Sequence, residues 1–153
     1  MLLYKSLLLP LLTYGVSLWG NGYKGTLHRA EVIQNDAIRA IFGIRRRDSV
    51  ARLAEELDLP PLSTIVTVHT ALLAYKMSKG LVPSDIAFPI TPVAKRTARR
   101  ATSFQTPFSA KQSSRHALAY LLPTVWSSLP RDIRSITSAK KFVNEVKKIA
   151  KKQ

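Results

Sequence analysis

Two clusters of basic residues carry the side chains whose chemistry is most recognisable in this sequence. Three arginines stand together at 45–47, and the segment 95–100 reads Lys-Arg-Thr-Ala-Arg-Arg. A guanidinium group binds phosphate in bidentate fashion, which a lysine ammonium cannot do. In the second cluster, the spacing would place four cations on one side of a helical turn. We therefore predict backbone phosphate contacts for Arg45, Arg46, Arg47, Lys95, Arg96, Arg99 and Arg100.

Each cluster also has a purely structural interpretation. Arginines that follow a helix C-terminus are favoured by the helix dipole without any ligand, which is an equal alternative for residues 45–47. The segment 95–100 lies in a proline-interrupted stretch with few recurring apolar residues, so it can equally be a solvated arm. Both alternatives stay open at the level of sequence.

The overall charge favours a polyanionic partner. The chain has 153 residues with 24 Lys and Arg against 9 Asp and Glu, a net charge of +15. A surplus of this size points to nucleic acid or to an anionic membrane surface, although a solvated basic face would have the same composition. Cysteine is absent and the three histidines are far apart, which excludes a disulfide scaffold and cysteine-ligated zinc.

The acidic residues do not suit metal-dependent polymerase chemistry. Such a site needs clustered carboxylates that hold two metal ions, and the sequence contains no Asp-Asp, Asp-Glu or Glu-Asp pair. The pair Glu55-Glu56 falls in a predicted helix, and no nucleotide-binding or hydrolase motif is present. We expect a chain that is not an enzyme by itself, with no cofactor and no small-molecule substrate.

The predicted fold is mainly α and begins with a helical hairpin over residues 2–44. An apolar helix is followed by a glycine-rich turn and a second, amphipathic helix that Gly43 ends. Pro10 should kink or end the first helix. Leu12 and Trp19 are expected to pack against Ile38, Ile41 and Phe42. The inner face of the second helix is predicted to contain Leu27, Ala30, Ile33 or Gln34, Ala37, Ile38, Ile41 and Phe42.

Further helices are predicted along the rest of the chain. Asp48 or Ser49 should cap a short helix, and residues 63–79 should form a longer one that ends at Gly80. A Pro-rich basic linker follows, then an apolar helical face that Pro123 breaks, and then a basic amphipathic C-terminal helix. The predicted organisation is a helical region at 1–80, a linker or arm at 81–114 and a C-terminal helical region at 115–153.

The N-terminal apolar run has two interpretations. Residues 6–19 could belong to a cleaved signal peptide. The run is too short and too interrupted to be a transmembrane span, which needs ~20 apolar residues. A single lysine, an aromatic-rich end and the lack of a small-x-small cleavage site favour a buried core helix, and no membrane association is expected.

Several ordered motifs accompany these elements. The hairpin contains Tyr14, Gly15, Trp19, Gln34, Asn35, Arg39 and Gly43, and the C-terminal region contains Pro123, Trp126, Leu129 and Pro130. This set resembles the region that follows the polymerase core in reverse transcriptases of LINE-type (non-LTR) retrotransposons. Ser127 stands where that family usually has Asn, Leu121-Leu122 replace a common Arg-Gly, and the Cys/His knuckle of some members is missing.

The resemblance implies a particular biological setting. The chain would be the thumb and post-thumb fragment of an RNA-directed DNA polymerase that acts in target-primed reverse transcription. Its partners would be the RNA or DNA backbone and the missing polymerase palm, and its location intracellular, either nuclear or cytoplasmic. The alternatives are a secreted or membrane-associated basic protein with an N-terminal targeting segment, and a free-standing helical interaction module.

Overall fold

The computed structural model describes residues 2–22, 24–83, 104 and 117–150, and it confirms the mainly α fold. A π-helical turn at Tyr4–Leu8 precedes eight α-helices. These are α1 (Leu9–Thr13), α2 (Val16–Trp19), α3 (Lys24–Phe42), α4 (Ala51–Glu56), α5 (Leu62–Ser78), α6 (Leu118–Ser128), α7 (Arg131–Arg134) and α8 (Ala139–Ala150).

The chain divides into two compact units, Met1–Val66 and Thr67–Gln153, here called unit 1 and unit 2. The division falls inside α5. The predicted organisation into 1–80, 81–114 and 115–153 stays a prediction. Most of its linker, including Lys95, Arg96, Arg99 and Arg100, lies outside the described residues.

The first predicted helix is wrong in one respect, because the apolar run is divided into short pieces. Helical structure ends at Thr13, since Tyr14 is extended and Gly15 has a φ of +58°. Pro10 does not end the helical run, which continues through α1 to Thr13. The helix type changes from π to α just before Pro10, at Leu9.

The register of the hairpin in unit 1 also differs from the prediction. Leu12 packs in a cluster with Ala30, Leu62 and Ile65, and Trp19 borders that cluster. Tyr4, rather than Leu12 or Trp19, packs with Ile38, and Ile41 and Phe42 border this second cluster. The N-terminal run is antiparallel to α3, so the first residues of the run meet the last turns of α3.

A buried hydrogen bond fixes this register. Gln34 is 5% exposed and donates from Nε2 to the hydroxyl of Tyr4 at 2.7 Å, whereas Ile33 is 58% exposed. Of the two residues that the sequence left open, Gln34 therefore occupies the inner face. Burial raises the pKa of Tyr4 above its ordinary value of 10.0, and the hydrogen bond from Gln34 partly opposes that rise.

Two glycines meet local constraints in unit 1. Gly43 ends α3 with a φ of +66°, which confirms the predicted C-cap. Gly20 follows α2, and a Cβ atom there would lie 2.5 Å from Val66 Cγ2 and 2.6 Å from the carbonyl oxygen of Val16. Only a residue without a side chain fits that approach.

The predicted N-cap of α4, Asp48 or Ser49, is wrong by one or two residues, whereas α5 follows the prediction closely. Val50 is the N-cap of α4, and the Ser49 hydroxyl accepts a hydrogen bond of 3.3 Å from the Ala51 amide. The β-branched residues at the start of α5 are helical, and Gly80 follows the helix with a φ of +66°. Helical length and the glycine cap thus prevail over local β propensity.

The core of unit 2 is built on aromatic residues. Trp126 is 1% exposed and Phe142 is fully buried, with ring centroids 6.2 Å apart, and Tyr75 stacks on Phe142 at 4.6 Å. The Tyr75 hydroxyl donates a hydrogen bond to the carbonyl of Thr137, just before α8. The apolar residues Phe142 and Val146 of α8 lie in one buried cluster with Trp126 and Leu129. Pro123 lies buried inside α6. The prediction that Pro123 breaks this helix is therefore wrong.

Candidate nucleic-acid interface

The three arginines at 45–47 follow directly from the C-cap of α3. The amide of Ile44 donates to the carbonyl of Arg39 at 3.0 Å, which closes the helix end around Gly43. The amide of Asp48 then donates to the carbonyl of Arg45 at 3.0 Å, so residues 45–48 form a turn. Arg45, Arg46 and Arg47 are all exposed.

The reversal at Gly43 brings Arg46 back beside the last turns of α3. An open cleft of about 570 Å³ lies there, and its lining includes the side chains of Arg39 and Arg46. Asp36, Ala40, Gly43 and Ile44 complete the lining. Arg45 and Arg47 do not line this cleft, so one arginine of the predicted cluster shares it with an arginine from α3.

The charge in the cleft is positive despite one carboxylate. Arg39 Nη1 donates to Asp36 Oδ1 at 2.8 Å, and the Asp36 side chain is 57% exposed. An exposed pair of this kind contributes little stability, because solvent screens it. Asp36 thus offsets one guanidinium charge, while Arg46 has no ion-pair partner within the described ranges.

Arg39 is held more firmly than the other arginines of the cleft region. Its side chain is only 24% exposed, and its Nε atom is buried with no hydrogen-bond partner among the described residues. The C-terminal carbonyls of α3 are negative and disfavour an anion, so attraction in the cleft must come from the two guanidinium groups. Such a pair can bind a backbone phosphate from two directions.

Sequence reasoning assigned Arg39 to the structural motif and missed its place in the cleft. The available signal was its position in the last turn of α3, one turn before a glycine cap that reverses the chain. Residues four apart share a helical face, so a basic residue there can meet one that follows the cap. The cluster 95–100 cannot be placed relative to this cleft, because it lies outside the described part of the chain.

Most other motif residues shape the backbone or the core. The indole Nε1 of Trp19 donates to the carbonyl of Tyr14 at 2.9 Å, across the break that Gly15 makes possible. The Tyr14 side chain and Asn35 are exposed. In unit 2, Pro123, Trp126 and Leu129 are buried, and Pro130 is the N-cap of α7.

Two further findings concern the chemistry of the described residues. In residues 2–22, 24–83, 104 and 117–150, no group of three or more His, Cys, Asp or Glu residues is arranged to hold a metal ion. Over the same ranges, no helix combines the length and apolar character needed to cross a lipid bilayer.

Comparisons with known proteins do not assign the chain to a family. No protein-family model, no curated protein and no solved structure matches it.

Proposed function

We propose that this chain is a non-catalytic C-terminal fragment of a LINE-type reverse transcriptase, which binds the RNA or DNA backbone during target-primed reverse transcription. The observation that carries the proposal is the cleft at the end of α3, where Arg39 and Arg46 line one open surface. In this role the fragment needs no cofactor and no small-molecule substrate. The parent protein supplies the polymerase activity inside the cell, in the nucleus or the cytoplasm.

The geometry of the family-like motif supports this assignment. Tyr14, Gly15 and Trp19 form one local structure, a helix break closed by an indole hydrogen bond. Gln34 makes the buried hydrogen bond that sets the hairpin register, and Gly43 makes the reversal that exposes the arginines. Residues that are separate in sequence thus build the hairpin that presents the cleft.

An exposed apolar surface supports the palm as a partner. Leu3, Leu7 and Leu11 recur at helical spacing on the solvent side of the N-terminal run, and Tyr14 and Leu18 are exposed beyond them, at the break before α2 and in α2 itself. These five residues, here called the outer stripe, are each between 57% and 85% exposed. Contiguous apolar surface of this kind marks an interaction site. A helical run that is apolar on both faces normally lies inside a larger protein. An in-frame upstream sequence encoding an aromatic-x-Asp-Asp turn would supply that protein.

A targeting segment is the competing explanation of the same run. A segment that is cleaved from the mature chain would not be expected to contribute to the core. Tyr4 and Val16 are 1% and 2% exposed, and Leu12 is 8% exposed. These three residues favour a permanent structural role for the run, and therefore the retrotransposon proposal over the secreted alternative.

The salt dependence of binding tests the proposed function. Fluorescence anisotropy of a labelled RNA–DNA hybrid should show affinity that falls steeply with salt, because each neutralised phosphate releases condensed counterion. The double variant Arg39→Ala/Arg46→Ala should lower the magnitude of the log K against log salt slope by ~2 × 0.7–0.9. Changes in base sequence should matter little, since backbone contacts carry no sequence information.

Arg29→Ala is the matched control for this experiment. Arg29 is exposed on α3, ten residues before Arg39, or ~15 Å along the helix axis. The substitution Arg29→Ala removes one positive charge from the same helix without altering the cleft. A slope that is equal in the double variant and the control would reject the cleft as a binding site, and circular dichroism would show that both variants fold.

A further inference from the structure

A second basic surface lies in unit 2, among residues to which the proposed function assigns no role. An open cleft of about 670 Å³ lies along α8, lined by Lys141, Asn144, Lys147 and Lys148. Glu145 and Ile136 complete the lining. Three lysines therefore share one surface with a single carboxylate.

That carboxylate is already engaged. Glu145 Oε1 accepts a hydrogen bond from Lys148 Nζ at 2.7 Å, so these two charges largely offset each other. Lys141 and Lys147 are exposed, and neither has an ion-pair partner within residues 117–150 or the other described ranges. The cleft thus has two uncompensated ammonium groups for an anionic ligand.

Helix α5 adds two basic residues to the same face. Lys76 is exposed and His69 is half-buried. Burial lowers the pKa of His69 below its ordinary value of 6.5, and the positive charges of Lys147 and then Lys76 lower it further. Helices α5 and α8 belong to one packed cluster, since Val68 and Ala71 of α5 are buried together with Phe142 and Val146 of α8. Lys147 therefore lies near enough to act on His69.

The other uses of a basic helix fit this surface less well. Membrane insertion would need the apolar stripe of α8, but Phe142 and Val146 are 0% and 2% exposed because they belong to the core of unit 2. An acidic peptide would need apolar anchor pockets, and Ile136 alone offers apolar lining. A sugar–phosphate strand needs regularly spaced positive charges and neutral donors, which this face provides.

The spacing on α8 matches such a strand. Lys141 and Lys148 are seven residues apart, which is ~10.5 Å along a helix at 1.5 Å per residue. Asn144 lies between them, and an asparagine amide is a common donor to phosphate oxygens. One strand of a duplex advances only ~3.4 Å of helix axis per phosphate, so Lys141 and Lys148 are far enough apart to contact different phosphates.

We propose that the face formed by His69, Lys76, Lys141, Asn144, Lys147 and Lys148, here called the α5–α8 face, is a second binding surface for the phosphodiester backbone of RNA or DNA. The inference rests on the proposed function, because it assumes that the chain binds nucleic acid at all. It assigns that role to a separate surface in unit 2.

The full chain and a labelled oligouridylate test this surface. The double variant Lys141→Ala/Lys147→Ala should lower the magnitude of the salt slope by ~2 × 0.7, because two contacts to a single strand are lost. Both residues are exposed on a helix, and alanine favours helix formation, so the variant should fold. Arg131→Ala is the control, because Arg131 is an exposed cation of α7 that does not line the cleft.

Proton binding by His69 gives a second readout. A bound polyanion offsets the charges of Lys147 and Lys76, so the pKa of His69 should rise when the oligonucleotide binds. Wild-type binding should therefore tighten as the pH falls through the region where His69 titrates. Proton NMR follows this change directly, and His69→Gln identifies which of the three histidine signals belongs to His69.

The outcomes separate this inference from the proposed function. A lower slope in the unit 2 double variant and a raised pKa of His69 support the inference. An unchanged slope in that variant overturns it, and the proposed function survives if Arg39→Ala/Arg46→Ala still lowers the slope. Unchanged slopes in both variants reject the two proposals together. Displacement of the oligonucleotide by polyglutamate at equal charge concentration would overturn the inference in favour of an acidic polypeptide ligand.

Discussion

The N-terminal run of unit 1 and α8 of unit 2 both have apolar residues at helical spacing, but they use them differently. In α8 the apolar stripe is buried and the opposite face consists of exposed lysines. In the N-terminal run, Leu12 is 8% exposed while its neighbour Leu11 is 76% exposed. Helix α8 thus buries its apolar stripe within unit 2, whereas the N-terminal run leaves apolar side chains of unit 1 exposed.

The contrast teaches that apolar spacing alone does not show whether a helix is complete in its own unit. A basic opposite face, as in α8, indicates a helix that borders solvent. An apolar opposite face, as in the N-terminal run, indicates a helix that does not bury all of its apolar side chains in its own unit. Each prediction below tests one side of this difference.

The largest effect is expected in the self-contained core of unit 2. Trp126→Ala removes the largest buried side chain of the described residues, which contacts Phe142 and Phe104. The loss should be ~3–5 kcal/mol in the free energy of unfolding, because an aromatic ring is replaced by a cavity. Urea titration followed by circular dichroism measures it. A loss within ~0.5 kcal/mol would mean that unit 2 does not have the packed core described above.

Paired leucine variants test the two faces of the N-terminal run. Leu12→Ala should cost ~2–5 kcal/mol, because Leu12 packs with Ala30, Leu62 and Ile65. Leu11→Ala should change stability by less than ~0.5 kcal/mol, because Leu11 is on the outer stripe. Ile41→Ala should fall near the lower end of the range for Leu12→Ala, since Ile41 is only partly buried. Equal losses at Leu11 and Leu12 would show that a partner or a second copy covers the outer stripe.

A smaller effect should appear at high pH. Burial raises the pKa of Tyr4 in the folded chain above 10.0, so the unfolded chain loses this proton first as the pH rises. The stability contributed by the neutral phenol is fully present below the unfolded pKa, and it is lost as pH rises through the folded pKa. Unfolding titrations from about pH 9 to about pH 11 should show this decline.

Tyr4→Phe is the control for that decline. It keeps the buried ring but removes the hydroxyl that accepts the hydrogen bond from Gln34. It should cost about 1 kcal/mol at neutral pH and show a weaker loss of stability above pH 10. An identical decline in wild type and variant would assign the effect to other groups.

Sequence reasoning succeeded where one local signal decides the structure. The periodicity of α3 and α8 predicted a helix in each segment, and the glycines that follow α3 and α5 predicted where those two helices end. Periodicity identifies a helical face but not the residue that it meets, which explains the wrong register of Leu12 and Trp19. It also could not distinguish Ile33 from Gln34, because only the distant Tyr4 hydroxyl makes a buried glutamine favourable.

The candidate-site residues also divide into those that the sequence predicts and those that require the tertiary structure. Arg46 was predicted as a phosphate-contacting residue from the sequence alone, because the run of three arginines can be seen there directly. Arg39 required knowledge of how the chain reverses at Gly43, and the α5–α8 face required the packing of two helices that are distant in sequence. Local charge is readable from residues, whereas the surface that charges share depends on tertiary packing.

The tight packing at Gly20 has a consequence for the genetic history of this chain. Where selection is absent, substitutions at exposed lysines accumulate with little harm to folding, but any missense change at codon 20 places a Cβ atom within 2.6 Å of two neighbours. Such overpacking typically costs ~1–3 kcal/mol, a large fraction of the stability of a small domain. Among sequence variants of this chain, the identity of residue 20 would therefore separate those that still form the folded hairpin from those that do not.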